Sequence, residues 1–102
     1  MRDIIMKREE IRNRIILFMY ENSVKIVPFP FIHRDEIATG VSDVMSSMKD
    51  GESELDFAIE YLCDKGLLVR ERRRSNGLPY DNVAITSEGV DLAEKILKEE
   101  DG

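Results

Sequence analysis

Apolar residues recur along the start of the chain at helical spacing. Ile4, Ile11, Ile15, Phe18 and Met19 share one face of a helix over residues 3–22, and Ile5, Ile16 and Tyr20 form a second strip beside it. A helix with two apolar strips covers more than one neighbour. Either it is the central helix of a small core, or the second strip meets another subunit. On the second alternative, Ile4, Ile5, Ile16 and Tyr20 are the expected dimer interface.

Residues 24–32 break this pattern. Val24, Ile26 and Val27 are β-branched, and Pro28 and Pro30 forbid helix continuation, so an extended connector with room for a short edge strand is predicted. A second helix over 34–48 follows, with His33 in a surface or capping role and Asp35 and Glu36 in the first turn, where the helix dipole favours acids. Ile37, Val41, Val44 and Met45 or Met48 form its apolar side. A third helix is predicted over 53–65. Ser53 is its expected N-cap, Leu55, Ala58, Ile59, Leu62 and Cys63 are its buried stripe, and Gly66 is its stop.

The period then changes. Leu67 to Arg73 and Tyr80 to Ile85 read as strands joined by a turn at Ser75-Asn76-Gly77, which gives a hairpin over 67–86. Leu67 and Val69 are expected to point toward the core. Thr86 or Ser87 caps a last helix over 87–99, with Val90, Leu92, Ala93, Ile96 and Leu97 on its apolar face. The predicted fold class is mainly α with a small β-hairpin (α+β), in one domain covering residues 1–102.

This order of elements resembles a winged helix-turn-helix. The run Ile59-Glu60-Tyr61-Leu62-Cys63-Asp64-Lys65-Gly66-Leu67-Leu68-Val69-Arg70 resembles the segment that leads into the wing of MarR-like and PadR-like prokaryotic transcriptional regulators. Val83-Ala84-Ile85-Thr86-Ser87-Glu88-Gly89 resembles the segment that leaves it. The matching stretches lie within residues 53–97. The resemblance implies a homodimeric DNA-binding protein that regulates transcription, with the first helix, and the last helix beside it, supplying the dimer surface. The single cysteine and the lack of a signal-peptide pattern make the cytoplasm the expected compartment.

Charge adds a second surface to the picture. The chain has 102 residues and a net charge of −6, yet residues 67–82 hold four arginines against Glu71 and Asp81. Arg70, Arg72, Arg73 and Arg74, with Asn76 at the turn and Ser53 at the start of the third helix, are the candidate contacts to double-stranded DNA. Alternation places Arg70, Arg72 and Arg74 on one face of the hairpin and Arg73 on the other. Pairing of these arginines with nearby acids is the competing reading. Lys7, Arg8, Arg12 and Arg14 alternate with Glu9 and Glu10, which reads as a solvated helix face.

The third helix points elsewhere. Glu54, Asp56, Glu60 and Asp64 take outward positions, and four carboxylates repel a polyanion. With Phe57 and Tyr61 at i and i+4, the residues Asp56, Glu60, Phe57 and Tyr61 form the alternative site, a surface for a protein partner without DNA binding.

No enzyme, cofactor or metal site is expected. His33 is the only histidine, Cys63 the only cysteine, and there is no Gly-rich phosphate loop or nucleophile elbow. The longest apolar run, Ile15 to Tyr20, is far shorter than the roughly 20 residues that cross a bilayer, so no membrane partner is expected. The absence of glutamine and the wealth of charge follow a tendency of proteins from hot environments.

Overall fold

The computed structural model describes residues 2–75 and 78–101, without the side chains of residues 74, 75, 78, 79 and 101. Helix α1 runs from Arg2 to Ser23 and packs against every later helix and against the sheet. Ile11, Ile15, Ile16 and Met19 are fully buried there. The central position predicted as one alternative is therefore the one observed.

This corrects the expected dimer strip. Ile16 lies in the chain's own core, Ile4 and Tyr20 pack against it, and the Tyr20 hydroxyl donates to Glu94 at 2.9 Å. Of the four residues, Ile5 alone is exposed, at 61%.

After the connector, strand β1 occupies only Ile32–His33. His33 also caps helix α2 (Arg34–Gly40), its Nδ1 accepting from the Asp35 backbone N–H at 3.0 Å. The helix expected over 34–48 is interrupted. It stops at Gly40, and helix α3 covers Ser42–Ser46. Gly is a poor interior helix former and Ser competes for the backbone, so the break falls between them. The interruption lets Val41 turn fully into the core.

Helix α4 spans Gly51–Asp64 and is capped by Asp50, whose carboxylate accepts from the Ser53 N–H at 3.3 Å. Ser53 was the expected cap. Aspartate serves equally well there, and it lies at the position where the helix path begins. Leu55, Ala58, Ile59 and Leu62 are buried as the stripe predicts, and Cys63 is half-buried against the core.

The end of α4 and the start of α5 (Ser87–Asp101) lock together. Gly66 takes φ +77°, and the N–H groups of Gly66 and Leu67 donate to the Cys63 and Leu62 carbonyls at 3.0 and 2.9 Å. This left-handed turn satisfies carbonyls that the helix leaves open. Thr86 then donates its hydroxyl to the Gly66 carbonyl at 2.6 Å and accepts from the Gly89 N–H at 3.1 Å, while its own N–H donates to the Leu67 carbonyl. Gly89 permits this approach, because a Cβ there would strike the Leu67 carbonyl oxygen. The two segments that carry the sequence resemblance are thus in contact.

Strands β2 (Leu68–Ser75) and β3 (Leu78–Ile85) pair antiparallel from Leu68↔Ile85 to Ser75↔Leu78. The sheet order is β1-β3-β2, with β1 joined only through Ile32↔Val83 and His33↔Asn82. The expected inward positions are shifted by one. Leu68 is buried and Val69 is 47% exposed, because Leu67 is spent in the turn after α4. The fold is α+β, mainly helical with one small antiparallel sheet.

Candidate functional site

The inward alternation of β2 carries Arg70 and Arg72 toward α4. Arg70 faces inward with Val83 and sits over Asp56, Glu60 and Asp81. Its Nε and Nη2 donate to the two oxygens of Asp81 at 2.8 and 2.7 Å. Nη2 also donates to Asp56 at 2.9 Å, and Nη1 to Glu60 at 3.1 Å. Only 5% of this side chain is exposed. Arg70, one of the candidate DNA contacts, has its donors directed at carboxylates of its own chain. The planar guanidinium suits this bidentate geometry.

A second arginine completes the network. Arg34, at the start of α2, donates from Nε to Asp56 at 3.1 Å and from Nη2 to Glu52 at 2.6 Å. Sequence reasoning missed this residue. The available signal was a cation in the first turn of a helix, where the dipole disfavours it unless acids from elsewhere hold it. Burial works against the Asp56 carboxylate, yet the hydrogen bonds from Arg34 and Arg70 outweigh it and hold its pKa below the ordinary aspartate value. The Asp81 carboxyl is likewise held low, first by its hydrogen bond from Arg70. The Arg70 guanidinium is raised, with Asp81 as the main cause.

The acidic face of α4 is therefore partly neutralised from within. Asp56, assigned to a partner surface by the sequence, is paired with two arginines and keeps 42% of its side chain exposed. Glu54 is held by Arg8 of α1 through two hydrogen bonds of 2.9 Å. Arg14 grips Asp43 in the same way, at 2.7 and 2.9 Å. The bases of α1, expected to be a solvated face, include two interhelical clamps. Glu60 keeps 58% of its side chain exposed.

Phe57 and Tyr61 lie on the side of α4 that faces α1. Arg8 stands over the Phe57 ring at 5.4 Å, and Arg12 stacks on the Tyr61 ring at 3.8 Å. Such contacts are attractive at this range. Phe57 nevertheless remains 53% exposed.

The outer half of the hairpin differs from its base. Beyond Asn82, among the described residues, no strand pairs with β3 on the β1 side. Arg72 is 55% exposed and reaches Asp81 at 3.4 Å and Asp56 and Glu60 at 3.9 Å. Arg73 is exposed on the opposite face. Arg74 continues β2, but its side chain and Asn76 lie outside the described residues. Ser53 is exposed at the first turn of α4.

Comparison with protein-family models and with curated proteins gives no match to this chain. The site is therefore defined by its own geometry. Among the described residues, no group of three or more His, Cys, Asp or Glu side chains is placed to hold a metal ion. No described helix is long and apolar enough to cross a membrane.

Proposed function

We propose that this chain is a winged-helix domain that binds double-stranded DNA through the outer half of the β2–β3 hairpin, as a transcriptional regulator. One observation carries the reading. Arg70 is enclosed by carboxylates, whereas Arg72 and Arg73 stay exposed on a two-stranded arm that has no third strand beside it among the described residues. Guanidinium groups on a projecting ribbon suit phosphate contacts and entry into a minor groove. Arg72 has only long, solvent-screened ion pairs to give up, and exposed pairs of that kind are worth little.

In this reading α4 stays out of the major groove, because Glu60 and Asp64 remain exposed on it. Two copies related by a two-fold axis would present two arms. Ile5 and Met6, exposed on the first turns of α1, are among the exposed apolar residues that could join them.

Fluorescence anisotropy of a labelled duplex across a salt series tests the reading. Salt-sensitive binding that falls when Arg72 and Arg73 are changed to alanine supports it. Salt-insensitive binding, or none at low salt, overturns it.

The exposed Phe57 beside Glu60 favours a second reading, a docking surface for a basic protein segment. Phe57→Ser would abolish that contact and leave duplex affinity unchanged.

A further inference from the structure

Between α1, α4 and α5 lies a groove of about 510 Å³ that the nucleic-acid reading does not use. Its rim carries two cations on one aromatic ring. The Arg12 guanidinium stacks 3.8 Å from the Tyr61 centroid, and Lys65 Nζ lies 5.5 Å from the same point. Among the described residues neither cation has a carboxylate within ion-pair distance, although Arg8 and Arg14 on the same helix each hold one. Arg12 Nε is buried without a hydrogen-bond partner. A buried donor left unmatched is costly, which marks the Arg12 guanidinium as incompletely satisfied within the chain.

Glu9 is the one acid lining the groove, and it forms no ion pair with Arg12 among the described residues. The floor is apolar, with Leu67 and Leu92 half-buried beside Leu62. Two unmatched cations above an aliphatic floor are complementary to an anion with an apolar body.

We propose that this groove binds an amphipathic monocarboxylate, its carboxylate between Arg12 and Lys65 and its aliphatic chain on Leu67 and Leu92. The inference stands apart from the DNA reading, and loss of duplex binding would leave it intact.

The test is a titration of the full chain with octanoate, followed by backbone amide shifts. Saturable shifts at residues 12–13, 61–67 and 92, with a dissociation constant of about 1 mM or below, are expected. Acetate lacks the chain and octanol lacks the charge, so both should bind about tenfold more weakly or worse. Lys65→Gln, at an exposed position, should weaken octanoate about tenfold while the rest of the spectrum is unchanged. Equal binding of octanol, an unaffected Lys65→Gln variant, or shifts centred on the exposed Val27 and Phe31 would each overturn the proposal.

Discussion

Arg70 Nη2 lies 2.9 Å from Asp56 Oδ1, and this contact ties the first strand of the hairpin to the helix before it. The same guanidinium holds Asp81 on β3, so three elements meet on one side chain. Breaking an enclosed pair leaves uncompensated charge, which costs several kcal/mol at full burial. The carboxylates here keep some solvent, so Arg70→Met should lower stability by about 2 kcal/mol. Arg72→Ala should change it by about 0.5 kcal/mol or less. Urea midpoints at unchanged slope distinguish the two, and equal losses would show that Arg70 is no clamp.

The same network sets an acid limit. The Asp56 and Asp81 carboxyls have folded-state pKa values below the ordinary aspartate value, because the arginines stabilise their charged forms. Their contribution is therefore fully present above the unfolded value, about 4, and is lost as the pH falls through the depressed folded values. Wild-type urea midpoints should drop between pH 5 and pH 2.5, and Arg70→Met should drop less. Asp43, held low by Arg14, should keep part of the drop in that variant.

Exposed arginines should control nucleic-acid affinity without touching the fold. If Arg72 and Arg73 each neutralise one phosphate per subunit, replacing both by alanine should flatten the slope of log K against log salt by about 1.8 for each bound subunit. Thermal unfolding of the double variant should match the parent. An unchanged slope would remove the hairpin from the interface.

The turn between α4 and β2 should be sensitive in an ordered way. Gly66→Ala meets open space but a positive φ, and should cost about 1 kcal/mol. Gly89→Ala places a methyl group against the Leu67 carbonyl and should cost more, about 3 kcal/mol. Thr86→Ala loses both a cap and the bond to Gly66, and about 1–2 kcal/mol with them. Chemical denaturation of the three variants gives the order directly.

Local rules determined much of this protein. Apolar spacing placed α1, α4 and α5, Gly66 and Thr86 marked the ends of two of them, and alternation in β2 put Arg70 and Arg72 on one face and Arg73 on the other. These features depend on neighbours within a few residues, so they are legible in the chain. The break at Gly40–Val41 and the one-residue shift that buries Leu68 were less so, because a competing local preference was equally good.

Only the tertiary structure decided what the charges do. Arg34 and Arg70 are 36 positions apart, yet both close on Asp56. Arg8 reaches Glu54 across 46 positions. Such pairings are set by how helices and hairpin pack, and the sequence of charges alone fits many of them. The same packing covered one strip of α1 and part of the second, placing Ile16 inside the core and leaving Ile5 outside it. Spacing along one helix states which residues share a face, and the number of neighbours that cover that face depends on the rest of the fold.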